Sequence, residues 1–164
     1  MTGNSLAVLL VEDDARDARL TVRALQSGSV TIHIDVVEDG EQALDFLFCR
    51  GAYSDRSPEH PPKLILLDLK LPKVNGLQVL QEIKSKFETK SIPVVALTSS
   101  REEKDMVACY QLGVNSYIQK PVDFEQFRET IKALGLYWTK LNEPPPEKMF
   151  QTQMAQSSPE IGSD

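Results

Sequence analysis

The sequence predicts a doubly wound α/β fold: a parallel sheet with helices on both faces. Two observations carry this. Short apolar runs alternate along the chain with segments of helical periodicity, and strict β-α alternation favours parallel strands joined by crossover helices. The run Leu64 to Leu67 is apolar at every position, as a strand buried on both faces should be. The 164 residues, 41% hydrophobic and 26% charged, suit one globular domain with a real core.

Taken in order, Ala7 to Val11 (AVLLV) is the first strand. Ala15 to Gln26 has helical spacing through Ala18, Val22 and Leu25. Ile32 to Val37 is the second strand, with Ile32, Ile34 and Val36 alternating. Glu41 to Cys49 reads as a helix and Leu64 to Leu67 as the third strand. Leu77 to Phe87 is a helix with Leu77, Leu80, Ile83 and Phe87 on one face. Ile92 to Leu97 (IPVVAL) is the fourth strand, Arg101 to Leu112 a helix, and Ser116 to Gln119 (SYIQ) a short fifth strand. Phe124 to Leu141 is a last, longer helix. Right-handed crossovers then bring every strand's C-terminal end to one edge of the sheet, where such folds place their sites.

Two segments leave this rhythm. Arg50 to Pro62 (RGAYSDRSPEHPP) is a long surface loop. Asn142 to Asp164 is rich in Pro, Ser, Gln and Glu, and carries four acids and one lysine. Its composition predicts a disordered tail over 142–164 after a folded domain over 1–141.

Charge and hydropathy exclude several classes of function. A net charge of -6 argues against a general role in coating nucleic acid. No apolar run is long enough to span a bilayer, and the N-terminus lacks the basic start of a secretory signal. A cytoplasmic protein is expected. Cys49 and Cys109 lack metal-type spacing and read as free thiols.

The informative residues lie at the strand ends. The first strand runs into Glu12-Asp13-Asp14 and the third into Asp68. Crowded acids raise one another's pKa unless a cation compensates, and hard oxygen ligands suit Mg²⁺. The plainer alternative is that the triplet caps the first helix, a role that fits Asp14. Asp68 at the same edge favours the metal site. The fourth strand ends in Thr98-Ser99-Ser100 and the fifth in Lys120-Pro121. A lysine is most often a solvated surface group, but at this edge its ammonium can pair with Asp68 and with an anion built there. Acids, a divalent cation, a hydroxyl and an ammonium around one carboxylate suit phosphoryl transfer onto that carboxylate. No general base is needed, because a carboxylate is already ionised at neutral pH.

In this order, "LLVEDD", "LILLDLKLPKVNG", "VVALTSS" and "SYIQKP" resemble the receiver domain of two-component response regulators, over roughly Leu6 to Ala133. The resemblance implies a flavodoxin-like sheet of order 2-1-3-4-5. It implies phosphoryl transfer from a phosphohistidine on a sensor histidine kinase. Asp68 matches the phosphoacceptor. Glu12 and Asp13 match the metal-site acids, and Lys70 would offer its backbone carbonyl to Mg²⁺. Thr98 matches the switch hydroxyl, and Tyr117 the aromatic that turns inward with it. Lys120 matches the phosphate-contacting lysine, with its bond to Pro121 cis. Gly76 matches the turn that lets the loop after the third strand close. Such a protein is no enzyme beyond Mg²⁺-dependent self-phosphorylation and slow self-dephosphorylation. With no output domain expected, it would signal through contact with a downstream protein, biased by phosphorylation.

The long loop and the end "FRETIKALGLYWTKLNEPP" resemble the small response regulators that serve cyanobacterial phytochromes. This second resemblance implies a phytochrome-type histidine kinase as partner. It also implies a homodimer through the fourth helix, fifth strand and fifth helix. The residues lend support: Leu134, Leu136, Tyr137, Trp138 and Leu141 put a large apolar surface on the last helix. Tyr137 and Trp138 are the candidate interface residues, unless they fold back onto their own core. Rival readings fit less well. A Mg²⁺-dependent phosphatase with an aspartyl nucleophile typically shows a second acid two residues on, where this chain has Lys70. A flavodoxin-like cofactor binder needs a phosphate loop where this chain has Glu12-Asp13-Asp14. A scaffold that has lost the chemistry would not keep the full set of site residues.

Overall fold

A computed structural model describes residues 6–151. The chain forms β1 (Leu6–Val11), α1 (Ala15–Gln26), β2 (Ile32–Val37), α2 (Gly40–Leu47), β3 (Leu64–Leu67), α3 (Gly76–Ser85), β4 (Val94–Thr98), α4 (Glu103–Gln111), β5 (Ser116–Gln119) and α5 (Phe124–Leu136). All five strands are parallel, in the order β2-β1-β3-β4-β5. This is the doubly wound receiver-type sheet that the sequence predicts.

Alternation along the central strands builds two cores. Leu9 and Val11 of β1, with Ile65 and Leu67 of β3, face α2, α3 and α4. Val8 and Leu10, with Leu64 and Leu66, face α1 and α5. Because both faces are covered, β3 is buried at all four positions, and each such Leu or Ile contributes roughly 1.5–3 kcal/mol by leaving water.

Several element ends shift from expectation for identifiable reasons. β4 begins at Val94 rather than Ile92, because Pro93 has no N–H and serves the sheet only by accepting from the Ile65 N–H (3.0 Å). The last helix was expected to run unbroken to Leu141. The α-helix instead ends at Leu136 and widens into a π-turn over Tyr137–Leu141. There the Thr139 hydroxyl donates to the Gly135 carbonyl (2.7 Å), a back-bond that competes with the helical ladder. The long loop is partly structured: Gly51–Tyr53 forms a 3₁₀ turn, the Tyr53 ring meets Phe46 edge-on, and the Arg56 guanidinium stacks on Phe46 at 3.7 Å. All peptide bonds among the described residues are trans. The Lys120–Pro121 bond is therefore not cis as expected; Lys120 is aimed by the sheet register, its N–H donating to the Thr98 carbonyl (2.7 Å).

Composition predicts disorder from Asn142 onward. Over 142–151 the chain is placed: Phe150 is buried in the α2–α3–α4 core, and Glu147 contacts His60 of the long loop. One aromatic suffices to anchor the strap, and averaged composition hides it. Residues 152–164 lie outside the described residues.

Gly76 opens α3, where an added Cβ would sit 2.4 Å from the Asp68 carbonyl oxygen. Gly76→Ala is expected to displace the backbone beside Asp68 and cost about 1–3 kcal/mol of stability, read by urea denaturation. Wild-type stability would mean that the loop takes up the methyl without strain.

Candidate functional site

Three candidate side chains stand one residue beyond a strand, and each is pinned by a ladder hydrogen bond. The Glu12 N–H donates to the Val37 carbonyl (3.0 Å), the Asp68 N–H to Val11 (3.1 Å) and the Lys120 N–H to Thr98 (2.7 Å). The sheet thus fixes their backbones with the precision of its own register, and parallel strands bring them to one edge. Asp68, Glu12 and Lys120 are all buried there.

Lys120 is the centre of the cluster. Its ammonium donates to Glu12 Oε1, to Asp17 Oδ2 (2.9 Å) and to Asp68 Oδ2 (3.1 Å). An ammonium has three N–H donors, and all three are used. Burial disfavours its charge, but the hydrogen bond to Glu12, the charge of Asp68 and the hydrogen bond to Asp17 outweigh that and hold it firmly protonated. Asp68 Oδ1 accepts from the Lys70 N–H (3.2 Å), so both acceptor oxygens are oriented.

Carboxylate oxygens of Glu12, Asp13 and Asp68 lie within 4.8 Å of one another, Asp13 being exposed and the other two buried. An all-oxygen acidic set with one open side fits a hard divalent cation that keeps several waters. Burial pushes the Glu12 carboxyl up to about 7, against the lowering effect of its Lys120 hydrogen bond. The Asp68 charge adds to the rise, so the lysine only partly offsets the cost of burying this carboxyl. Beside Asp13 and Lys70 a groove of about 540 Å³ opens to solvent, with Asp105 on its far rim.

Asp14 takes the capping role allowed for it. Its side chain accepts from the Arg16 and Asp17 N–H groups (2.9 and 3.0 Å), and those bonds lower its pKa. Thr98 is fully buried, its hydroxyl accepting from the Ser100 N–H (3.2 Å). Ser100 in turn donates to Asp105 of α4 (2.5 Å), and Tyr117 donates to the Ser100 carbonyl (3.3 Å). The two candidate interface residues part company. Trp138 packs partly buried against the α1–α5 core, while Tyr137 is 48% exposed, beside exposed Leu136 and Leu141. Trp138 thus folds partly back onto its own core, the alternative the sequence left open, and Tyr137 is the more exposed of the two.

Asp17 has no place in the sequence reading. It is N3 of α1, where an acid usually reaches back to the N–H of the N-cap residue. Here that N–H, of Asp14, already donates to Glu12 Oε2 (3.2 Å), and Asp17 turns to Lys120 instead. The only signal in the sequence is an acid in the first turn of a helix whose start faces the site.

The family model described as "Response regulator receiver domain" matches residues 8–132. Response regulator Rcp1 of Synechocystis sp. is 40% identical over 131 residues, 80% of this chain and 87% of that protein. A crystal structure of its Mn²⁺-bound form superposes with a TM-score of 0.82 at 36% identity, covering 86% of this chain and 99% of that one. The phosphorylated cyanobacterial phytochrome response regulator RcpA gives 0.82 at 39%, covering 87% and 99%. The bacteriophytochrome response regulator RtBRR gives 0.68 at 52%, covering 92% of each chain.

The raised Glu12 pKa has a consequence for stability. The folded state takes up this proton more readily than the unfolded chain, so the contribution is complete below about pH 4.5 and is lost as pH rises through about 7. Metal-free protein is expected to gain stability from this group between about pH 8 and about pH 6, and Glu12→Gln to remove the gain. Denaturation midpoints at both pH values check this; equal pH dependence in the two proteins would mean that Glu12 stays ionised.

Proposed function

The chain belongs to the response regulator receiver domain family, and on that premise we propose that it is a stand-alone phosphoacceptor, taking a phosphoryl group on Asp68 from a sensor histidine kinase. One observation carries the reading. The Asp68 carboxylate is buried at the end of β3, bonded to Lys120 and grouped with Glu12 and with Asp13, which itself lines an open groove. A purely structural buried acid needs one partner; this one has the Lys120 ammonium beside it and two further carboxylates, one of them exposed, that together suit a divalent cation.

In the transfer, an Asp68 oxygen attacks phosphorus, the P–N bond to the donor imidazole breaks, and that nitrogen leaves with the pair. Glu12, Asp13, Asp68 and the Lys70 backbone carbonyl would hold Mg²⁺, which when bound neutralises charge on the phosphoryl oxygens. Lys120 moves a donor from the carboxylate to a phosphoryl oxygen as charge builds there. Thr98 supplies a hydroxyl to the same group. Its backbone partner Ser100 is tied to Asp105 and Tyr117, so a shift of the hydroxyl toward phosphate biases α4 and the inward turn of Tyr117. The neutral bonds are worth only about 0.5–1.5 kcal/mol each and the bond to Asp105 about 1.5–3, a size that phosphorylation can offset.

The kinase is proposed to be of phytochrome type, on the likeness to regulators named for phytochromes. Among the described residues no helix is long and apolar enough to cross a membrane, and a cytoplasmic site of action fits a histidine kinase output. Self-association is proposed through α4, β5 and α5, where Met106, Val107, Tyr110 and Tyr137 leave apolar surface exposed.

Incubation with acetyl phosphate and Mg²⁺ is expected to add one phosphoryl group by intact mass, absent with a chelator and absent in Asp68→Asn. The variant should remain folded, because Glu12 and Asp17 still hold Lys120. Modification of Asp68→Asn at the normal rate would refute the acceptor assignment. In sedimentation, Tyr137→Ala is expected to weaken self-association, whereas Trp138→Ala should cost mainly stability, about 2 kcal/mol or more. An unchanged sedimentation profile for Tyr137→Ala would remove this face from the dimer.

A further inference from the structure

We propose that Asp17 tunes phosphoryl acceptance, its carboxylate competing with the incoming phosphoryl group for Lys120 and so discriminating against small anionic phosphodonors. The inference rests on the acceptor reading above.

The geometry is a problem of donor supply. Lys120 has three N–H donors and three carboxylate partners, Glu12, Asp17 and Asp68. An arriving phosphoryl oxygen has to take a donor from one of them. Glu12 and Asp68 also belong to the cluster suited to a divalent cation; Asp17 does not. Once a cation draws on Glu12 and Asp68, Asp17 is the partner left competing for the ammonium. It is also the most open of the three, its side chain 31% exposed against 2% for Glu12 and 6% for Asp68. With Asp13, four carboxylates surround the approach to one lysine. A free acyl phosphate brings nothing to offset that repulsion except its own small contacts. A phosphohistidine presented by a docked kinase is held in place by binding energy from the rest of the interface, which can offset it. Asp17 therefore acts as a filter, through Lys120, on which donors can phosphorylate Asp68.

The plain alternative is that Asp17 only stabilises the start of α1, where acids are favoured. That role predicts a change in melting temperature and no change in reactivity.

The test measures the second-order rate of phosphorylation by acetyl phosphate at saturating Mg²⁺, by intact mass, for wild type, Asp17→Asn, Asp17→Ala and Asp17→Glu. Beryllofluoride affinity by fluorine NMR and metal-free melting curves accompany it. Removing the charge is expected to raise the rate and the affinity about two- to fivefold, the size expected of one partly exposed charge pair. The gain should shrink at high salt, and Asp17→Glu should stay near wild type. Rates and affinities for Asp17→Asn equal to or below wild type would overturn the inference while leaving the acceptor assignment standing. So would a melting shift without a rate change, or an Asp17→Glu that departs as far as Asp17→Asn. No adduct on any of the four proteins would remove the acceptor assignment and this inference together.

Discussion

The Lys120 ammonium, held among the carboxylates of Glu12, Asp17 and Asp68, is the interaction on which the site depends. Burying two acids at the edge of a sheet is costly, and removing the cation from such a cluster typically costs about 3–5 kcal/mol. The same pairing keeps the acceptor candidate oriented and keeps a cation where negative charge would build. What stabilises the resting site is thus what the chemistry would draw upon. The raised pKa of Glu12 follows first from its burial, with the charge of Asp68 adding to it and the bond to Lys120 only partly offsetting it.

The sheet makes this cluster possible without loops having to hold it. Glu12, Asp68 and Lys120 each sit one residue beyond their strand and each donates its N–H to a neighbouring strand or strand end. Their mutual placement is inherited from the registers of β1 with β3, β3 with β4, and β4 with β5. The loop after β3 is held as closely. The Gly40 N–H donates to the Pro72 carbonyl, and a side chain at Gly40 would meet the Val74 backbone. Lys73, at a left-handed φ of 66°, pairs with Asp39 (3.5 Å).

Away from the site, the end of α5 distributes its apolar residues by function of place. Leu134 enters the core, Trp138 half covers it, and Leu136, Tyr137 and Leu141 stay outside. Tyr137 and Trp138 meet edge-on at 5.1 Å, but successive helical residues point about 100° apart, so one faces the core and the other solvent. The strap beyond it ends with Phe150 in the opposite core, so the C-terminal segment touches both layers of the molecule.

The alternation of apolar runs and helical periodicity determined the class of fold and most element limits, with α1, β2, β3 and β5 read to the residue. It also determined Asp68, Glu12, Asp13, Thr98 and Lys120 as candidates, because parallel topology forces strand ends to one edge and only unusual residues stand there. Tertiary structure decided the rest. Asp17 joined the cluster because a neighbouring backbone N–H was already taken by Glu12, a competition that no residue pattern records. Trp138 and Tyr137 parted, and Phe150 was buried, because burial depends on the surface a side chain meets, which may lie a hundred residues away in the chain. Local periodicity carries the first kind of information; contacts between distant segments carry the second.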